Sequence, residues 1–197
     1  FSVSQASALQ RCGRAGRLEP GACYRLWSEG EHTALAPAHR PEILDSDLAP
    51  LALDLAQWGV ADPAQLSWVD APPPAAFAQA RDLLRDLGAL DAQGRITAHG
   101  RAMAALGLHP RLAHMLLRGH ALGHGGLACD LAALLEERDL LLVGEARDSD
   151  VRTRLEQLQR PGPPGAGVHR GVLQRVRRSA ARYRALLGDA RPPGEGD

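Results

Sequence analysis

Lysine is absent from this 197-residue chain: all 23 basic residues are arginine. That alone excludes a Gly-x-x-x-x-Gly-Lys-Ser/Thr phosphate loop within it, because such a loop needs its lysine to reach the β- and γ-phosphates. Cysteine is scarce. Cys12, Cys23 and Cys129 form no Cys-x-x-Cys pair and are odd in number, which argues against a disulfide framework or a zinc site and reads as three scattered small hydrophobes. Aromatic residues make up only 4% of the chain. No apolar run approaches the roughly 18 residues that a membrane-spanning helix needs. A methionine start and a basic-then-apolar leader are also missing, since the chain opens on Phe1. The expectation is a cytoplasmic piece of a longer polypeptide.

Hydrophobic residues at 45% exclude wholesale disorder, and the length suffices for one domain or two small ones. A formal net charge of zero conceals segregation. Residues 1–40 carry five arginines against three acids, and residues 161–197 carry seven against three, around an acidic middle. Basic ends permit a phosphate-binding surface, although overall neutrality does nothing to favour nucleic acid. Of the eight histidines, His109, His114, His120 and His124 lie close in sequence. Their spacings put no three on one helical face and no carboxylate or cysteine completes a set, so no metal is expected.

The first forty residues read as a short helix, a glycine-rich turn, a strand over 22–27 (Ala-Cys-Tyr-Arg-Leu-Trp), and a polar linker over 28–40. From Pro41 the pattern is helical. Leu44, Leu48, Leu51, Leu55 and Trp58 form one stripe and Gly59 ends it. Phe77, Ala80, Leu84 and Leu87 form a second stripe behind three prolines, stopped by Gly88. Short apolar segments around Gln93-Gly94 predict a hairpin, after which Thr97 caps a helix carrying Met103 and Leu106. Two helices, a hairpin and another helix make a winged-helix arrangement. Beyond Pro110 the signal is helical throughout, with stripes at Leu112, Met115 and Leu116, and at Leu127, Leu131, Leu134 and Leu135. Asp150 can cap a helix burying Val151, Leu155 and Leu158. After a breaker loop over 161–167, the last helix places Val168, Val172, Val176, Ala180, Tyr183 and Leu187 on one side. Arg175, Arg178 and Arg182 share another face, a candidate for nucleic-acid phosphates that is weighed against a merely solvated face. Residues 189–197 read as a loose tail, and no internal repeat is evident.

Chemistry concentrates in Gln10-Arg11-Cys12-Gly13-Arg14-Ala15-Gly16-Arg17. Arg14 and Arg17 stand three apart, so both guanidiniums can reach one anion, and a guanidinium fork matches phosphate oxygens. Gly13 and Gly16 remove side chains where backbone would approach a nucleotide. Arginines aimed at a γ-phosphate stabilise charge that grows during transfer, an effect of about 10³–10⁵ in rate, and Gln10 is of the type that orients an attacking water. Against this stands an arginine- and glycine-rich loop of no special purpose in a chain already rich in both.

That octapeptide resembles helicase motif VI of the DEAH-box family of superfamily 2. Ser4-Gln5-Ala6-Ser7-Ala8 before it is similar to the family's lead-in helix, and Pro20-Gly21-Ala22-Cys23-Tyr24-Arg25-Leu26-Trp27-Ser28-Glu29 to the strand that follows, in a form nearest the bacterial HrpB subgroup. The stretches 96–103 and 108–116 resemble the family's junction between a winged helix and a helical ratchet domain. The resemblance implies a mainly α chain: the end of a second RecA-like α/β domain over 1–38, a winged helix over 39–108, and most of a ratchet (HA2-like) bundle over 109–197. It implies that Gln10 lies near the hydrolytic water, that Arg14 and Arg17 contact the β- and γ-phosphates, and that Arg11 supports the motif. It further implies ATP with Mg²⁺, single-stranded nucleic acid (RNA foremost) and the remaining domains of the same polypeptide as partners, with no membrane. The Asp-Glu-Ala-His box is missing, so the chain by itself is expected to be inactive. Rival readings are a stand-alone winged-helix regulator, which leaves the arginine motif idle, and a helical interaction scaffold without enzyme activity.

Overall fold

The computed structural model describes residues 3–142 and 149–189; the end of the expected tail lies outside them. The chain divides into two units, Phe1–Ser46 and Asp47–Asp197. Among the described residues the structure is almost wholly helical, and no helix is long and apolar enough to cross a membrane.

In the first unit, α1 (Gln5–Ala15) starts where Ser4 accepts a hydrogen bond from the Ser7 N–H through its hydroxyl. The N–H groups of Gln5 and Ala6 donate to the carbonyls of Ala36 and Pro37, so the helix start is satisfied from the far end of the unit. Two expectations fail here. Residues 22–27 form no strand: the segment has no bridge partner and bends at 26–27, with Tyr24 87% and Leu26 94% exposed. A strand exists only through a neighbour that takes its backbone hydrogen bonds, and the described residues offer none. The polar stretch after it is not all linker, because Ser28 and Glu31 close a capping box on a short helix, α2 (Glu29–Ala34).

The second unit begins with the three helices expected of a winged helix: α3 (Ala49–Gln57), α4 (Pro74–Asp86) and α5 (Ala98–Ala105). The stripe drawn from Leu44 to Trp58 is broken. Residues 42–44 make a 3-10 turn, and α3 starts afresh at Ala49. Pro50 explains the break, since its ring would clash with the carbonyl four residues back in a continuous helix. Leu48, Leu53 and Leu55 are buried, whereas Trp58, past the helix end, is 72% exposed. In α4, Phe77, Ala80 and Leu84 are buried as expected. Gly88 (φ 70°) then turns the chain so that the Ala89 N–H reaches the Leu84 carbonyl. The hairpin is reduced to one antiparallel bridge, Leu90 to Ile96. Thr97 joins it to α5: its hydroxyl accepts from the Gly100 N–H at 3.0 Å and donates to the Gly88 carbonyl at 2.7 Å.

His109 leads into α6 (Pro110–Ala121), accepting from the Arg111 N–H through Nδ1 at 3.3 Å while Nε2 meets Asp47 at 3.0 Å. The backbone N–H of Ala49, and then His109, hold the Asp47 carboxyl below the usual range. A hydrogen bond of 3.0 Å between His99 and His114 ties α5 to α6. Burial, then the charges of His114 and Arg118, keep His99 below the ordinary histidine value.

The bundle continues with α7 (Gly125–Glu136), α8 (Val151–Gln159) and α9 (Arg170–Asp189). Here α7 reverses the expectation. Its core side is Ala128, Cys129, Ala132 and Ala133, while Leu127 and Leu135 are exposed and Leu131 and Leu134 half-buried. The reason is close packing: a Cβ at Gly119 would lie 2.6 Å from the Ala128 Cβ, so α6 and α7 approach too nearly for leucine between them. In α6 the deeply buried residues are likewise Ala113, Leu116 and Leu117, with Leu112 and Met115 half-buried. Asp150 caps α8 as expected, but Val151 is exposed and only Leu158 is fully buried. Of the expected stripe, Val172, Val176, Ala180, Tyr183 and Leu187 are buried on α9 with Leu173 added, whereas Val168, also buried, lies ahead of the helix in a bridge to Leu141.

Asp130, a buried acid on α7, accepts from Gln159 of α8 at 3.1 Å and pairs with Arg184 of α9. Arg177 of α9 donates to the carbonyls of Leu158 and Arg160, closing the C-terminal end of α8.

The close approach of α6 and α7 makes Gly119→Val a sharp test. Its methyls would collide with Ala128, and overpacking of this kind costs about 1–3 kcal/mol. Urea unfolding should show a lowered midpoint with little change in slope. An unchanged midpoint would mean the helices part without penalty.

Candidate functional site

The arginine motif occupies the C-terminal half of α1 and the turn beyond it. Gln10, Arg11 and Arg14 are helical, Gly16 is the residue at which the helix closes, and Arg17 lies past the end. Gln10 and Arg14, four residues apart, share one face. Arg17 is thus delivered by the chain reversal rather than by a further helical turn, which differs from the simple three-residue helical spacing.

All four side chains are exposed, and among the described residues no hydrogen bond or ion pair engages any of them. Arg85, Arg95, Arg154, Arg175 and Arg184, by contrast, are tied to acids. The motif arginines therefore present donors with nothing to satisfy them inside the unit, the state a cationic site has before its anion arrives. Gly13 faces open space, since a Cβ there would meet nothing within 4 Å.

Glycine matters more at a position the sequence reading passed over. A Cβ at Gly21 would fall 1.9 Å from the Ala15 carbonyl oxygen. The chain after the motif doubles back hard against the end of α1, and only glycine fits that crossing. The reversal brings Cys23 to Cys12. Both thiols line one pocket, shared with Arg25, Trp27 and His32, and Cys12 is the neighbour that chiefly raises the Cys23 thiol above its ordinary value. Reading the cysteines as scattered hydrophobes holds for Cys129, which is fully buried, but not for this pair. Their separation of 11 positions carries no recognised signal, so spacing alone could not have found them.

The candidate phosphate face on α9 is largely engaged inside its own unit. Arg175 Nε lies 3.1 Å from the Glu137 carboxylate, and Arg182 stacks 5.0 Å above the Tyr183 ring while donating to its hydroxyl. Arg178 is exposed and has no partner among the described residues. No group of three or more histidine, cysteine or acidic side chains suited to a metal occurs among the described residues. His109 and His114 bond elsewhere, as described above, and His120 and His124 are exposed.

Comparison with known proteins bears on the whole chain. Residues 80–108 match the family model of the helicase-associated domain (HA2), winged-helix. The ATP-dependent RNA helicase HrpB of Escherichia coli (strain K12) is 49% identical over 135 residues, which is 68% of this chain and 17% of that protein. The probable ATP-dependent RNA helicase DHR2 of Saccharomyces cerevisiae is 36% identical over 148 residues, or 75% of this chain and 20% of that protein. A crystal structure of the Escherichia coli DEAH/RHA helicase HrpB matches with a TM-score of 0.69 and 39% identity, covering 94% of this chain and 21% of the other. The chain thus spans about a fifth of the length of the relatives it matches. With the motif of residues 10–17, the winged helix and the bundle all accounted for by one kind of protein, the chain belongs to the DEAH-box helicases, as an HrpB-like region of one.

Proposed function

We propose that this chain supplies the arginine fingers, winged helix and ratchet region of an ATP-dependent RNA helicase, in which nucleotide hydrolysis drives translocation and unwinding. The observation that carries the reading is the set of exposed, unpartnered guanidiniums of Arg14 and Arg17 beside Gln10 at the end of α1. The names of the relatives, which are RNA helicases, support it.

In this reading residues 1–38 are the end of a RecA-like domain, 39–108 the winged helix and 109–197 the ratchet bundle. The end of the HA2 winged-helix match at residue 108 favours the second boundary. Arg14 and Arg17 neutralise charge that develops on the β- and γ-phosphates and Gln10 orients the attacking water; Arg11 is cast as the motif's support by resemblance alone, since its side chain makes no hydrogen bond or ion pair among the described residues. The two guanidiniums fit phosphate by type and by their lack of other partners, while the Mg²⁺ ligands belong to residues beyond this chain. Mg²⁺ bound with ATP would add charge neutralisation between the phosphates. The partners are single-stranded RNA and the other domains of the same polypeptide, and the setting is the cytoplasm.

Arg17→Ala, made in the helicase that carries this chain and assayed with saturating RNA, should lower kcat by about 10³-fold and change KM little, because the finger acts on charge present only in the transition state. The variant's melting temperature should match wild type, since Arg17 is exposed and makes no hydrogen bond or ion pair among the described residues. The 197-residue chain alone should turn over no ATP. A kcat within threefold of wild type would remove Arg17 from the mechanism.

On α9 the reading narrows to Arg178, the one member of the trio with no partner among the described residues. In the same helicase, Arg178→Gln should flatten the salt dependence of single-stranded RNA binding by about 0.7 in slope, the value for one lost phosphate contact. An unchanged slope would make this face a solvated one.

A further inference from the structure

We propose that Cys12 and Cys23 form a thiol–disulfide switch that closes a covalent loop around the arginine-finger segment. The inference rests on the reading of Arg14 and Arg17 as fingers for its consequence, but not for its chemistry.

Three observations converge on the pair. The Gly21 crossing presses the returning chain onto Ala15, so the two runs pass in opposite directions, and Cys23 comes back beside Cys12, one turn earlier in α1. Cys12 is the neighbour that most raises the Cys23 thiol above its ordinary value, as a side chain close by would. Both open onto one pocket, Cys23 exposed and Cys12 half-buried, so a small oxidant can reach them. Two thiols that face one pocket from antiparallel runs are placed to close, by side-chain rotation, to the S–S distance of about 2.05 Å that a disulfide needs. The ten residues between them, 13–22, include both Arg14 and Arg17.

The chemistry requires a two-electron oxidant, and a hydroperoxide serves. Cys12 chiefly holds the Cys23 thiol above its ordinary value, so Cys23 keeps its proton. That leaves Cys12 as the sulfur that attacks peroxide. Its S–O bond forms as the O–O bond breaks, giving a sulfenic acid and one water. The Cys23 sulfur attacks that sulfenic sulfur, the S–S bond forms, the S–O bond breaks, and a second water leaves with the Cys23 proton. Two thiols and one peroxide become one disulfide and two waters. In cytosolic proteins such bonds are transient and serve sensing rather than construction.

Closure pins the end of α1 to the returning run and fixes the loop that carries the fingers. A shift of the order of 1 Å in a group aimed at a transition state costs about 100-fold in rate, so the oxidised form should be slow.

The test uses the helicase that carries this chain, treated with stoichiometric hydrogen peroxide. Peptide mapping should find Cys12 linked to Cys23 with the loss of two hydrogens, while Cys129, buried in α7, stays reduced. Dithiothreitol should reverse the link. ATP turnover should fall about tenfold or more on oxidation and return on reduction, and Cys23→Ser should keep its turnover in peroxide. Gly21→Ala, which forces the crossing apart, should lower the yield of the link in otherwise folded protein. Independent over-oxidation of the two cysteines, or a link to Cys129, overturns the pair as a site. Full linkage with unchanged turnover overturns the switch. Failure of the finger reading would show separately, as normal turnover of reduced Arg17→Ala.

Discussion

Asp130 is the constraint on which the helical bundle depends. A carboxylate on the buried side of a helix is tolerable only if its charge is answered on the spot, and here both answers come from other elements, Gln159 of α8 and Arg184 of α9. The acid thus dictates which turn of α9 faces α7. Around that registration the remaining contacts follow. Arg177 lies seven residues before Arg184 on α9 and closes the end of α8, and Arg175 and Tyr183 meet Glu137 and Glu136 at the end of α7. One polar point inside an apolar interface orders three helices that hydrophobic packing alone would leave free to slide.

Much of the architecture was legible because it rests on local rules. The stripe of α9 from Val172 to Leu187 repeats over about four turns, long enough that no other face competes, and each of its members there is buried. Gly88 and Thr97 carry their structural meaning in residue type alone, as helix stop and helix cap. What misled was size. Four leucines on α7 look like a core face, yet the packed face is made of alanines and a cysteine because Gly119 lets α6 come close. Periodicity identifies a face as apolar but cannot say how near the neighbour stands. The break at Pro50 and the capping box at Ser28 and Glu31 were readable from the sequence and went unread, the first masked by a leucine repeat and the second by the polarity around it.

At the candidate site the division is different. The sequence sets Gln10, Arg11, Arg14 and Arg17 within one short segment, and the structure keeps all four exposed around the end of α1. The reversal at Gly21 could not be foreseen, because it depends on a backbone contact between residues six apart that no side-chain pattern encodes. The Cys12–Cys23 pair depends on that same contact and was hidden with it. The expected strand over 22–27 failed for the opposite reason: its composition suits a sheet, but a sheet is a property of neighbours.

The imidazole of His109 has a consequence of its own. It accepts an N–H at Nδ1 and faces Asp47 with Nε2, so the proton sits on Nε2 and a single tautomer satisfies both bonds. One side chain thus serves two parts of the chain at once, satisfying a backbone donor in the first turn of α6 and reaching back across 62 residues to the acid that precedes α3. Replacing the ring would release both together, so the start of α6 and the start of α3 are fastened by the same atoms.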